Sequence, residues 1–155
     1  MRVEYNPTLH KQIISFETFV PRSIEEGGNR VIGYSHTITS RDYNTFHRGD
    51  RISEECAVQL LRDDCRRVAN YLDANHDWWR DLSTERQAAF LHFAFATGIN
   101  PRTGFTVECF PLALRALRNG DFLSACNLIE SSKWSEQNPK RSLCIRAQLQ
   151  SGEWV

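Results

Sequence analysis

Three glutamates close to a predicted turn have the chemistry needed for acid–base catalysis. Glu17 follows Phe16 at the end of an apolar helical stretch, and Glu25 and Glu26 come directly before Gly27-Gly28. A carboxyl group held against apolar surface keeps its proton to higher pH because desolvation disfavours the anion, whereas a solvated carboxyl stays ionised. A protonated carboxyl paired with an ionised one is typical of glycoside hydrolysis. On chemistry alone the evidence is weak, since two glutamates before a turn are more often solvated surface residues.

The elements around these glutamates are predicted to be one helix followed by a small sheet. Apolar residues at helical spacing predict a helix that opens near Thr8 and continues to about Glu17, bounded by Pro21. The stretch Arg30–Thr39 is rich in β-branched and aromatic residues and follows a Gly-Gly turn signal, which predicts an antiparallel sheet of two or three strands. The polar stretch from Arg41 to Arg51 is predicted to be a loop.

The rest of the chain is predicted to be helical. A long helix should run from the N-cap Ser53 to about Asp73, because acidic residues occupy its first turn, where the helix dipole favours them. The helix around Phe90 is apolar on nearly every side, so we expect it at the centre of the helical part. Four helices are predicted after the long one, starting at Ser83, Pro111, Asp121 and Asn138-Pro139.

Together these elements predict one α+β, mostly helical domain over residues 1–155. Its small N-terminal lobe contains the sheet and covers about residues 9–52. A linking helix at about 53–73 joins this lobe to a helical lobe at 74–155. Two lobes joined in this way leave a cleft between them, which is where ligand sites tend to form.

Composition excludes several classes of function. Nineteen Lys and Arg balance 19 Asp and Glu, so a neutral chain lacks the charge of a general nucleic-acid binder. There is no apolar run long enough to span a membrane, and the N-terminus lacks the apolar core of a secretory signal. The 5 cysteines are widely spaced without a CxxC pair, which predicts reduced, buried thiols and neither a metal site nor a redox motif. We expect a monomer without nucleic-acid or membrane partners.

Residues 9–154 contain a series of short motifs whose order and spacing are informative. Glu17 is followed by Glu25 or Glu26, and then by Val31-Ile32-Gly33-Tyr34-Ser35-His36. Later motifs are Ile52–Ala57, Leu60–Asp64, Ala88–Gly98, Leu114–Phe122, Ser132–Trp134, Gln137–Arg141 and Ser151–Trp154. In order and spacing the chain resembles the phage-type lysozymes of glycoside hydrolase family 24, the endolysin muramidases. That family has a helix ending in Glu, then an Asp, then a Thr that opens a strand reading Ile-Gly-x-Gly-His. The resemblance implies a lysozyme-like fold.

The resemblance also implies a reaction. Relatives hydrolyse the β-1,4 bond between N-acetylmuramic acid and N-acetylglucosamine in peptidoglycan, with inversion and without a metal or cofactor, so glycan strands are the expected partner. Glu17 matches the general acid, and a plain ion pair between Glu17 and Arg141 is the structural alternative. For the second carboxylate, spacing from Val31 favours Glu25 and spacing from Glu17 favours Glu26. We take Glu25 as this carboxylate and Glu26 as its alternative.

Further residues are assigned by the same resemblance. His36 and Asp64 match a structural pair that ties the small lobe to the linking helix. The positions expected to contact substrate are Val31, Tyr34, Ala96 and Arg141. Val31 stands where the family has a threonine that helps hold the attacking water, and Ala96 stands where relatives carry a polar amide. Ser35 replaces a glycine of the family motif.

Two other functions stay open at this point. A lytic transglycosylase needs one acid–base glutamate and no activated water, so the missing hydroxyl at Val31 would matter little. A cell-wall-binding or structural phage protein is suggested by Val31 and Ala96 together. For the hydrolase, the resemblance implies synthesis in the bacterial host cytoplasm and action on the wall in the periplasm after release by a separate membrane-permeabilising protein.

Overall fold

A computed structural model describes residues 1–39, 42, 49–100 and 106–155. The chain divides into two compact units, Met1–Arg67 and Val68–Val155. Most of the predicted loop between Arg41 and Arg51 lies outside the described residues.

The first unit begins with helix α1, Pro7–Ile14. The Asn6 side chain caps this helix by accepting a hydrogen bond from the Thr8 backbone, and Pro7 suits the first helical position because it needs no N–H partner there. The prediction that the helix continues to Glu17 is wrong. The backbone N–H groups of residues 16 and 17 bond to carbonyls three residues back, so the chain tightens into a turn after Ile14.

A three-stranded antiparallel sheet in the order β1-β2-β3 follows, which confirms the predicted sheet. Its strands are Val20–Glu26, Asn29–Gly33 and His36–Thr37. Between β1 and β2, Gly27 and Gly28 form a two-residue turn in which both φ angles are positive, at 56° and 82°. Such turns match the twist of the flanking strands and need residues that tolerate positive φ, which is why glycines occur here.

Helix α2, Glu54–Asn75, starts as predicted. The Ser53 hydroxyl accepts a hydrogen bond of 3.1 Å from the Cys56 backbone. Within the first unit, α2 packs closely against the end of β2 at Gly33, where a Cβ atom would lie 3.2 Å from the Cβ of Ala57. Gly33 also has a φ of +66°, so the strand end requires glycine for two reasons.

The second unit is helical. Its α-helices within the described residues are α3 (Thr84–Thr97), α4 (Pro111–Arg118), α5 (Phe122–Glu130), α6 (Lys133–Gln137) and α7 (Pro139–Ser151). Every side chain from Ala88 to Ala94 is buried, which confirms α3 as the central helix of this unit. Helix α6 was not predicted; its signal is Ser132, whose hydroxyl accepts a hydrogen bond from the Ser135 backbone.

We expect Gly33→Ala to destabilise the protein more than Gly28→Ala. Both positions have positive φ, which costs an alanine about 1–2 kcal/mol. Only at Gly33 does the new methyl group also press on Ala57, because nothing lies within 4 Å of a Cβ at Gly28. Urea unfolding measures the two losses, and equal losses would contradict the close packing of β2 on α2.

Candidate active site

A cavity of about 270 Å³ opens in the first unit, between the turn after α1 and the first two strands. Its lining combines carboxyl and hydroxyl groups with an apolar wall. The lining residues are Phe16, Glu17, Thr18, Val20, Ile24, Glu26, Val31 and Ser35. A concave site with an apolar wall and a few polar groups is the usual form of a small-ligand site.

Glu17 reaches this cavity from the turn and not from a helix end. Its backbone N–H bonds to the carbonyl of Ile14 at 3.0 Å, which holds the residue just beyond the helix. Its side chain is half-buried. The Ser35 hydroxyl donates a hydrogen bond of 2.6 Å to Glu17 Oε2. The carboxyl group is therefore held at the cavity wall by a side chain from the turn between β2 and β3.

The two neighbouring glutamates of β1 lie in different surroundings. Glu26 lines the cavity, together with Ile24 on the same face of the strand. Glu25 is opposite Arg30 in the sheet register and forms an ion pair with it, with 2.9 Å between Arg30 Nη1 and Glu25 Oε1. Because successive side chains in a strand point to opposite faces, only one of the two can share the cavity with Glu17.

Val31 and Tyr34 also belong to this region. Val31 is opposite Ile24 in the register and forms part of the apolar wall. Tyr34 is buried, and its ring packs against Phe19 with 5.7 Å between ring centroids. Tyr34 therefore contributes to packing in the first unit, and it is not among the described residues that line the cavity.

His36 connects the sheet to α2. Its Nδ1 lies 2.9 Å from Asp64 Oδ2, its Nε2 lies 3.2 Å from Asp42 Oδ2, and Arg67 bonds to Asp64. Burial lowers the pKa of His36, but the hydrogen bonds and charges of Asp64 and Asp42 outweigh burial and raise this pKa above its ordinary value. Sequence reasoning missed Asp42 as the second partner.

Arg141 and Ala96 lie in the second unit. Arg141 is in the first turn of α7 and is only 8% exposed, and its Nε donates a hydrogen bond of 2.9 Å to His92 Nε2 on α3. Burial, followed by the charge of Arg141, lowers the pKa of His92 to about 3, so the ring is neutral and can accept this bond. Ala96 is half-exposed near the end of α3. The contact with His92 was missed in the sequence, where a lone histidine on an apolar helix indicates only packing.

Cysteines and metal ligands supply little further chemistry. Cys65 and Cys126 are buried, and burial raises the pKa of Cys65 to about 12, whereas Cys109 is exposed, contrary to the expectation of buried thiols. In the described part of the chain, no group of three or more His, Cys, Asp and Glu side chains is placed to hold a metal ion.

Among the described helices, none combines the length and apolar character that crossing a membrane requires.

The small antiparallel sheet, the mostly helical chain and the cavity with two glutamates define a protein of the α+β lysozyme-like class. A model of the family described as phage lysozyme matches residues 14–148 of the 155. The chain belongs to the phage lysozyme family, which confirms the resemblance seen in the sequence. The family implies a peptidoglycan-hydrolysing, lysozyme-like function. A search of curated proteins found no match.

We expect His36→Gln to remove a pH-dependent part of the stability. Because the folded state raises the pKa of His36 above 6.5, its contribution is complete below about pH 6.5 and is lost as the pH rises through the folded value. Near pH 5.5 the free energy of unfolding of the wild type should be about 1.5–3 kcal/mol larger than that of the variant, and this difference should become smaller as the pH rises. Urea unfolding at several pH values measures this difference. A difference that does not change with pH would contradict the stabilisation of protonated His36 by Asp64 and Asp42.

The pair of His92 and Arg141 predicts the opposite pH dependence. The pKa of His92 is lowered from 6.5 to about 3, so its contribution is complete above about pH 6.5 and is lost as the pH falls toward 3. His92→Gln keeps an acceptor that does not titrate and should lose less stability in acid than the wild type. His92→Leu removes the acceptor and should cost about 1.5–3 kcal/mol at pH 7. Thermal or urea unfolding of the three proteins tests this, and similar behaviour of Gln and Leu would contradict it.

Proposed function

We propose that this protein is a muramidase that hydrolyses the β-1,4 bond between N-acetylmuramic acid and N-acetylglucosamine. Glu17 is the general acid and Glu26 is the second carboxylate. The observation that carries the proposal is that these two glutamates line one cavity, while Glu25 pairs with Arg30 on the other face of the strand. Membership of the phage lysozyme family supplies the substrate class.

In this mechanism Glu17 donates its proton to the glycosidic oxygen as the bond to the leaving sugar breaks. Glu26 lies at the exposed edge of the cavity, where it orients a water molecule and takes a proton from it as the water attacks the anomeric carbon. Its carboxylate also faces the positive charge that develops on the sugar. Attack from the side opposite the leaving group inverts the anomeric carbon. NMR of the first product formed reports the anomer, and a retained configuration excludes this mechanism.

Val31 supports a second candidate, a lytic transglycosylase. The cavity wall at this position is a side chain without a hydroxyl group, so it offers no hydrogen bond to a water molecule. Transglycosylases need no such water, because a hydroxyl of the sugar itself attacks. Mass spectrometry of the products separates the two reactions: 1,6-anhydromuramic ends indicate the transglycosylase and reducing ends the hydrolase.

The remaining assignments belong to the same proposal. Tyr34, Ala96 and Arg141 stay predicted contributors to the substrate side of the site, and His36 with Asp64 has a structural role. The protein acts as a monomer, without cofactor, on peptidoglycan in the periplasm, after synthesis in the host cytoplasm and release by a separate membrane-permeabilising protein.

We expect Glu17→Gln and Glu26→Gln each to lower the rate of peptidoglycan hydrolysis by about 10²–10⁴-fold, because each removes one half of the acid–base pair. Clearing of a cell-wall suspension measures the rate, and urea unfolding verifies that the variants are folded.

Glu25→Gln is the matched control, since it makes the same chemical change one residue away and should keep the wild-type rate. Loss of activity in Glu25→Gln with retention in Glu26→Gln would assign the second carboxylate to Glu25. If the wild type binds cell walls but neither it nor Glu17→Gln clears them, the protein is a binding component and the muramidase proposal fails.

A further inference from the structure

Ser35 has an unusual backbone conformation. Among the described residues it is the one non-glycine residue with positive φ, at 59°. A side chain in this region costs about 1–2 kcal/mol relative to glycine, because the Cβ atom approaches the backbone. Such conformations persist where the surroundings impose them, and they cluster at functional sites.

The surroundings of Ser35 do impose its conformation. Tyr34 on one side is buried against Phe19, and His36 on the other is buried and bonded to Asp64. Between them Ser35 is exposed, so burial of its own side chain does not compensate the backbone cost. What the serine contributes must therefore come from its hydroxyl group.

That hydroxyl group has one clear use. Ser35 Oγ donates to Glu17 Oε2 at 2.6 Å, which is within the range of O–H···O hydrogen bonds. Both residues line the same cavity. A donor on one carboxylate oxygen restricts rotation of the carboxyl group.

We propose that Ser35 is a positioning residue for Glu17: the Ser35 hydroxyl group fixes the orientation of the Glu17 carboxyl group in the cavity. The inference rests on the proposed role of Glu17 as general acid. It assigns to the turn between β2 and β3 a part in the reaction beyond shaping the cavity.

Two substitutions distinguish the effect of the Ser35 hydroxyl group from the effect of its backbone conformation. Ser35→Ala removes the hydroxyl and keeps the Cβ atom, whereas Ser35→Gly removes the hydroxyl together with the backbone cost. Their stabilities should differ, with a higher urea midpoint for Ser35→Gly than for Ser35→Ala. Any effect that both variants share is therefore an effect of the missing hydroxyl.

In both variants we expect the rate of hydrolysis to fall, because the Glu17 carboxyl group is no longer held in one orientation by the hydroxyl donor. At the optimum, kcat should fall about 3–10-fold with little change in KM, as expected for an interaction that orients the acid in the transition state. A merely structural serine would leave kcat of the Ser35→Gly variant, whose backbone is relieved of the positive-φ cost, at the wild-type value.

A measurement independent of turnover completes the test. The carbon-13 NMR signal of the Glu17 side-chain carboxyl carbon, recorded at one pH, should change its position in both variants relative to the wild type, because the hydrogen bond to Oε2 is missing. If the wild type is active, Glu17→Gln is inactive and neither kcat nor the Glu17 carbon signal changes in the Ser35 variants, the role of Ser35 is overturned and the proposed function stands. If the wild type is inactive on peptidoglycan, both proposals fall.

Discussion

The site depends on the register of the hairpin between β1 and β2. The Gly27-Gly28 turn sets Glu26 opposite Asn29 and Ile24 opposite Val31. Because side chains alternate between the two faces of a strand, a slip by one residue would turn Glu26 away from the cavity and bring Glu25 toward it. Which glutamate shares the cavity with Glu17 is therefore decided by the geometry of a two-residue turn, although neither glycine contributes a chemical group.

Much of the fold follows from local signals. Serine, aspartate and proline mark helix starts because they satisfy or avoid the unpaired N–H groups there, as at Ser83, Pro111 and Asp121. Two features were outside the reach of such signals. Helix α6 is too short to show an apolar period. Helix α1 ends where entering the sheet becomes more favourable than continuing the helix. Apolar residues at helical spacing continue up to Phe16, so this spacing does not indicate the earlier end.

Of the residues predicted for the site, Glu17, Glu26 and Val31 line the cavity, whereas the hydrogen-bond partners of the predicted residues could not be predicted from the sequence. Motif order indicated Glu17 and the two candidates after it, while only the strand pairing distinguishes Glu25 from Glu26. The contact between His92 and Arg141 joins residues far apart in the chain, and a neutral histidine that accepts a hydrogen bond looks, in sequence, like any buried histidine. Hydrogen bonds of this kind depend on how the helices pack, so the spacing of residues along the chain does not predict them.

The positive φ of Ser35 has a consequence for how this protein can evolve. Glycine would suit the backbone at this position, whereas serine supplies the hydroxyl group that bonds to Glu17. Under the proposed role of Ser35, selection for stability favours glycine here and selection for turnover favours serine, a trade-off of the kind that functional sites impose on proteins.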